Sequence, residues 1–349
     1  MRFLSSNQHY IARCITLAQN GLGTTYPNPL VGSVIVYDDK IIGEGWHQKA
    51  GEPHAEVHAI KSVKDKSLLS QSTLYVNLEP CSHFGKTPPC ADLIIESKIP
   101  KVVIGTMDPF SKVCGNGIAK LKNAGIEIEV GVLENECHEL NKRFFTYHQK
   151  KRPYVILKWA QTQNGFIAPL KKEENRPVWI SNKYSRQLVH KWRAEEQAIL
   201  VGTNTVLQDN PQLNLRDWAG EHPVRVVLDR ELRIPTTYSV YDKSVKTIFL
   251  TEKQTQSNHE NLIFETIDFS HNRNEQILHV LYKHQIQSVI VEGGQKVLNS
   301  FIADNLWDEA RVFTSDTFLE SGVKAPELNF PPDRIISMDN DQLIYFKNK

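Results

Sequence analysis

Long apolar runs are absent: no stretch of about 18 apolar residues occurs, and Met1-Arg2-Phe3-Leu4-Ser5-Ser6-Asn7 lacks the apolar core of a secretory signal. The expectation is a soluble, cytoplasmic protein. Net charge is also missing, since 41 basic residues stand against 40 acidic ones and leave +1. Without an electrostatic footprint for a polyanion, nucleic acid is disfavoured as a substrate. Cysteine is scarce and odd in number, five in 349 residues at 14, 81, 90, 114 and 137, which fits a reducing compartment better than a disulfide framework. The sequence contains no G-x-G-x-x-G, which argues against a Rossmann dinucleotide site, and no evident internal repeat.

The few cysteines are not scattered. His54-Ala55-Glu56 is followed by Pro80-Cys81 and, nine positions on, by Pro89-Cys90. One imidazole and two thiolates are soft zinc ligands, and the order H-x-E then P-C…C follows the ligand set of zinc deaminases, with eight residues between the cysteines where the short form has two. Three protein ligands leave the fourth tetrahedral position to water, whose pKa the metal lowers towards neutrality, and Glu56 then moves the proton. A closed structural site would need a fourth protein ligand, and His83 is the only neighbour of the right type. A helix beginning at Cys90 after Pro88-Pro89 would favour a thiolate there through its dipole.

The length suggests two domains. In the first half, an amphipathic helix over 9–20 precedes Tyr26-Pro27-Asn28-Pro29, whose prolines fix the backbone around Asn28 so that its amide suits reading a pyrimidine edge. Taken alone, that motif is more often a plain turn. A hairpin at 38–40 returns to His47, just before the His54 helix. Strands at 73–78, 101–105 and 126–130 alternate with helices at 90–95 and 118–125, which implies parallel pairing and a site at the strand C-terminal ends. A linker is expected at 141–152, dividing a domain of residues 1–147 from one of 148–349. The second half again alternates, with strands at 154–160, 198–202, 224–229, 247–251 and 288–292, helices of about ten residues between the later ones, and a helix capped by Ser181 and running to about 197. Glu292-Gly293-Gly294 before a helix at 295–305 lets a phosphate approach main-chain amides, although such a pair is often only a tight turn. The polar stretch 202–216 reads equally as a surface loop.

Taken together, Tyr26-Pro27-Asn28-Pro29-x-Val31-Gly32, Gly45-x-His47, His54-Ala55-Glu56, Glu79-Pro80-Cys81-Ser82-His83-x-Gly85-Lys86-Thr87-Pro88-Pro89-Cys90 and Asp108-Pro109 closely resemble the bifunctional deaminase/reductase family of riboflavin biosynthesis. Lys158-Trp159-Ala160, Asn164-Gly165, Trp179-Ile180-Ser181, Arg193-Ala194, Gly202 to Thr205, Asp209-x-Pro211, Leu213, Arg216 and Glu292-Gly293-Gly294 look like its reductase half. The resemblance implies an α/β protein, a cytidine-deaminase-like α/β/α sandwich followed by a dihydrofolate-reductase-like α/β domain. It implies one zinc per chain on His54, Cys81 and Cys90, Glu56 as proton shuttle, and Asn28, His47, Ser82, His83 and Lys86 around the pyrimidine. For the second half it implies NADPH held by Trp179, Thr205, Asp209, Gly293 and Gly294, and substrate held by Arg193, Leu213, Arg216 and Glu292. The two arginines suit a ribose phosphate, which guanidinium binds bidentately. The substrates are expected to be small phosphoribosyl pyrimidines, and the protein a homo-oligomer. Asn116, Asn164 and Asn210 depart from the family pattern, the first replacing a basic residue and the other two replacing aspartates. The last forty residues carry no recognisable motif. Two rivals share the zinc motif: a deaminase acting on a nucleic-acid base, and a non-catalytic interaction protein stabilised by zinc.

Overall fold

A computed structural model describes residues 5–82, 88–110, 114–170 and 178–348. The chain divides into two compact units, Met1–Lys150 and Lys151–Lys349.

In the first unit, helix α1 (Ser6–Ala18) starts on a reciprocal cap in which Ser5 accepts from the Gln8 amide and the Gln8 side chain accepts from the Ser5 amide. Strands β1 (Gly32–Tyr37) and β2 (Lys40–Trp46) form a hairpin, and Asp38 and Asp39 both take positive φ, 48° and 56°. That is the turn whose twist matches the strands. Helix α2 (Ala55–Ser62), strand β3 (Thr73–Leu78), helix α3 (Cys90–Glu96), strand β4 (Lys101–Thr106), helix α4 (Asn116–Asn123), strand β5 (Glu127–Val130) and helices α5 (Glu134–Leu140) and α6 (Lys142–Lys150) follow. The sheet order is β2-β1-β3-β4-β5, antiparallel around β1 and parallel from β3 to β5.

Strand periodicity sorts the core. Val34, Val36, Tyr75 and Val103 face Tyr10, Ile11, Cys14 and Leu17 of α1 and Cys137 of α5. Ile35, Leu74, Val76, Val102 and Ile104 face Ala59, Ile60, Ala91, Ile94, Ile118 and Leu121 of α2, α3 and α4. The product is the expected sandwich of helices, sheet and helices.

The expected linker at 141–152 is a correction: most of it is α6, whose Phe144 and Phe145 are buried. Asn141, also buried, accepts from the Leu30 amide at 2.8 Å and donates to the Leu30 carbonyl at 2.9 Å, so this stretch belongs to the first unit.

The second unit contains β6 (Tyr154–Gln161), β7 (Phe166–Ala168), α7 (Lys183–Glu195), β8 (Ala198–Gly202), α8 (Thr203–Asp209), β9 (Val224–Leu228), β10 (Thr247–Thr251), β11 (Leu262–Thr266), α9 (Arg273–Lys283), β12 (Ser288–Val291), α10 (Gln295–Ala303), β13 (Glu309–Ser315), β14 (Val323–Lys324), β15 (Arg334–Met338) and β16 (Asp341–Lys347). Nine of these strands form one sheet in the order β11-β10-β9-β8-β12-β6-β13-β16-β15, with only β16 antiparallel to its neighbours. Helices α9 and α10 bury Ile277, Leu281, Leu298 and Phe301 against one set of strand side chains. Val189 and Trp192 of α7 pack with Ile290, Phe313 and Leu343, and Val206 of α8 packs with Ile199, Val201 and Val227.

Three local expectations change. Asn182, not Ser181, caps α7, accepting from the Ser185 amide at 2.9 Å. Half of the polar stretch at 202–216 is the helix α8 rather than loop. No α-helix joins β9 to β10, only a 3₁₀ turn at Ser239–Tyr241, while the motif-free end of the chain supplies β13 to β16. No helix among the described residues is long and apolar enough to cross a membrane.

Candidate active sites

The first site lies where β3 and two helix starts converge. His54 is the residue before α2, in extended backbone, and Cys90 is the first residue of α3. Cys81 follows β3, its carbonyl accepting from the Ala91 amide at 3.1 Å and its sulfur from the Cys90 amide at 3.3 Å. His54 Nδ1 is 3.6 Å from Cys81 Sγ and 3.3 Å from Cys90 Sγ, and the three ligand atoms lie within 4.8 Å of one another. Cys81 is shifted strongly towards thiolate, first by the hydrogen bond it takes from Cys90 and then by His54 and the Cys90 amide.

Glu56 sits in the first turn of α2 and is buried, and among the described residues its Oε2 has no hydrogen-bond partner. Burial, and then the Cys81 charge, push its carboxyl up, although His54 opposes them. An unsatisfied buried carboxylate oxygen beside a soft three-ligand set is what an open zinc site with a water in the fourth position requires. The residues therefore fit zinc.

The neighbouring groups are oriented as well. Asn28 Nδ2 lies 3.0 Å from His47 Nε2, and His47 Nδ1 is 3.2 Å from the Pro53 carbonyl. The carbonyl can only accept, so Nδ1 carries the proton, Nε2 accepts from Asn28, and Asn28 Oδ1 is left for a ligand. Desolvation holds the His47 pKa down, in keeping with a neutral ring. Ser82 is half-buried next to Cys81. His83 and Lys86 lie outside the described residues.

Glu79 was not anticipated as a site residue. Its buried carboxylate accepts from the amides of Asp108, Gly115, Gly117 and Ile118 at 2.9 to 3.3 Å, tying the start of α4 to the strand that delivers Cys81. Asp108, buried beside it, has its carboxyl pushed up to about 7 by burial and then by Glu79. Both stood inside the quoted motif, but nothing in the letters marked which main-chain amides they would meet.

The second site collects at the C-terminal ends of β6, β8 and β12, where ligands bind in parallel α/β sheets. Glu292 follows β12, and its Oε2 accepts from Arg193 Nη2 of α7 at 2.9 Å, in a pair whose side chains are each only 12 % exposed. Desolvation would raise the Glu292 carboxyl, but Arg193 and then Lys158 bring it below its ordinary value. Burial lowers the Lys158 ammonium in turn.

The glycine pair is sterically required. A Cβ on Gly293 would lie 2.5 Å from Gly202 N and from Val201 Cα, and Gly294 has φ 52° with Thr205 Oγ1 at 3.2 Å from its would-be Cβ. The two glycines leave a turn without side chains of its own, Thr205 in the first turn of α8 sets its Oγ1 beside it to complete a cradle, and Asp209 lies half-buried at the far end of that helix. Trp179 presents its indole, 60 % exposed, with the Arg186 guanidinium 4.8 Å from the ring. The cradle and the open indole fit a phosphate-bearing dinucleotide.

Leu213 is placed differently from the other expected substrate residues. Its side chain is buried in the apolar cluster beside α8 and its φ is 54°, so only its main chain faces outward chemistry. Arg216 is exposed, and its Nη1 is 3.2 Å from Gln212 Oε1 and 2.8 Å from Asn214 Oδ1. Of the departures, Asn164 bridges Thr162 and the Leu319 carbonyl, and Asn210 ends α8 in the left-handed region with its side chain accepting from the Ser239 amide.

The chain matches the cytidine and deoxycytidylate deaminase zinc-binding region over residues 4–106 and the RibD C-terminal domain over 153–323. It is 39% identical to the riboflavin biosynthesis protein RibD of Aquifex aeolicus, covering 98% of both chains, and 34% identical to the Escherichia coli protein of that name, covering 91% of this chain and 90% of the other. Among solved structures it is similar to a diaminohydroxyphosphoribosylaminopyrimidine deaminase/5-amino-6-(5-phosphoribosylamino)uracil reductase from Thermotoga maritima, with TM-score 0.88, 40% identity and 99% of each chain covered. A RibD from Acinetobacter baumannii gives TM-score 0.89 at 34% identity, again over 99% of both. With both halves matched in order and end to end, the chain belongs to the RibD family.

Proposed function

We propose that the chain performs two consecutive steps of riboflavin biosynthesis. The first is hydrolytic deamination of 2,5-diamino-6-(5-phosphoribosylamino)pyrimidin-4-one, and the second is NADPH-dependent reduction of the resulting ribosyl chain to ribityl. The observation that carries the deaminase reading is Glu56, buried with one unsatisfied oxygen beside His54, Cys81 and Cys90. His54, Cys81 and Cys90 would hold zinc, which when bound would acidify a water beside Glu56. Glu56 Oε2 would carry a proton from water to the amino nitrogen on C2 of the pyrimidine, which would leave as ammonia while hydroxyl takes its place on the carbon. The raised Glu56 carboxyl suits a group that must both accept and release a proton. Asn28 Oδ1, freed by the His47 tautomer, accepts an N–H from the ring edge.

In the second unit NADPH, when bound, would supply the hydride needed at C1′ of the ribosyl group. Gly293, Gly294, Thr205, Asp209 and Trp179 hold the cofactor, and Glu292 and the main chain at Leu213 help to hold the sugar. The two arginines differ in role. Arg193 gives Nη2 to Glu292 and Nη1 to the Asn214 carbonyl at 3.4 Å, and so orients them, while its buried Nε has no partner among the described residues. Arg216 keeps its Nε and Nη2 without hydrogen-bond partners among the described residues, and that edge is the one a phosphate takes bidentately. The setting is cytoplasmic and the assembly a homo-oligomer, the latter checked by light scattering. Two assays test the whole: ammonia release from the diaminopyrimidine by zinc-loaded protein, and NADPH oxidation with the deaminated product. Release of ammonia from single-stranded nucleic acid at low salt, with none from the small substrate, would turn the reading to a nucleic-acid deaminase.

A further inference from the structure

Two consecutive main-chain amides of the loop that carries Arg216 end on imidazole nitrogens. The Leu215 amide donates to His222 Nδ1 at 3.1 Å, and the Arg216 amide donates to His190 Nδ1 at 3.4 Å. His190 lies on α7 one turn before Arg193, with its ring buried and its Nε2 3.5 Å from Asp217 Oδ2. Because Nδ1 accepts, Nε2 carries the proton and points it at Asp217. The same loop is pinned on its other side by the buried side chains of Leu213 and Leu215 and by Arg193 on the Asn214 carbonyl. The backbone is held, and the Arg216 side chain is left exposed.

We infer that His190 and His222 form a two-imidazole clasp whose role is to position Arg216 for the substrate phosphate, resting on Arg216 as the phosphate ligand. Neither imidazole touches substrate; both act through the loop. An amide deprived of its acceptor frees the loop to sample conformations in which the bidentate edge of Arg216 no longer meets the phosphate. The clasp needs Nδ1 of His190 unprotonated, and burial followed by the nearby Arg193 and Arg216 charges, against Asp217 and Glu292, hold that ring neutral down to about 4.

The test uses the full chain in the reductase assay, with ribosylaminouracil phosphate and with the same compound lacking its phosphate. Arg216→Ala is expected to raise KM for the phosphorylated substrate only. His190→Ala and His222→Ala should each raise that KM about fivefold, the effect of one lost neutral hydrogen bond, with kcat within about twofold and NADPH affinity unchanged. His190→Asn should restore the parental KM, because its Oδ1 stands where Nδ1 stood, whereas His190→Gln should not. In the Arg216→Ala background either alanine change should add nothing further. If Arg216→Ala raises KM while His190→Ala and His222→Ala leave it at the parental value, the clasp is wrong and the phosphate ligand stands. If Arg216→Ala has no effect, both fall. Should His190→Ala not fold, His222→Ala, on an exposed side chain, decides the matter alone.

Discussion

Single side chains carry most of the chemistry, and two are open to direct test. Cys90 is buried, supplies one of three convergent ligands, and its amide also supports Cys81. Cys90→Ser is therefore expected to lose the zinc, measured as metal per chain after gel filtration, and to unfold more readily, since bound metal contributes folding energy. His190 gives a pH signature. Its folded pKa, about 4, lies below the ordinary value of 6.5, so protons bind more readily to the unfolded chain, and the stability present above pH 6.5 is lost as pH falls towards 4. Replacing it by Asn should flatten that acid limb by about 2 kcal/mol, read as urea unfolding at pH 5 and pH 7.5. The residues proposed as zinc ligands, Glu56 and Arg216 all stand out as letters in a motif. Glu79, His190 and His222 do not, because each is defined by a main-chain amide brought to it through folding, and such amides look alike in every sequence.

Elements were legible in proportion to how fully they are buried. Strands β3, β8 and β10 coincide with their expected limits, since near-continuous runs of buried residues have no competing period. Helix α6 reads as a linker in sequence because Lys142, His148 and Lys150 surround its buried Phe144-Phe145 pair, and α8 is hidden there because Val206 alone among its residues is buried. The start of α7 illustrates a finer ambiguity: Ser181 and Asn182 are both good caps, and Asn182 is selected because its amide also donates to Asp341 and its side chain reaches the Met338 carbonyl. Asn182→Ala is expected to cost about 1 kcal/mol from the cap, and more from the lost side-chain bonds to the Met338 carbonyl of β15 and to Asn340. Thermal unfolding monitored by tryptophan fluorescence will show the loss, and Ser181→Ala should leave the midpoint within a degree or two by comparison.

At the scale of the whole molecule, two self-contained cores imply two separable chemistries. Glu56 belongs wholly to the first unit, and a general acid/base group contributes roughly 10²–10⁴-fold to its own step. Glu56→Gln should thus nearly abolish ammonia release, keep its zinc, and oxidise NADPH at the parental rate when given the deaminated product directly. A folded, metal-loaded variant that lost both activities would demand one composite site. The sheet order of the second unit carries a further consequence, for synthesis. Strand β6 is the first of that unit to leave the ribosome, yet its two partners are β12 and β13, more than a hundred residues later. The first unit, contiguous from end to end, can close while β6 still waits with both edges bare. Until residue 315 has emerged, that apolar strand is what a nascent-chain chaperone would find to hold, and a ribosome stalled within the second unit, after β6 but before β12 has emerged, should display a finished first unit trailing an unpaired strand.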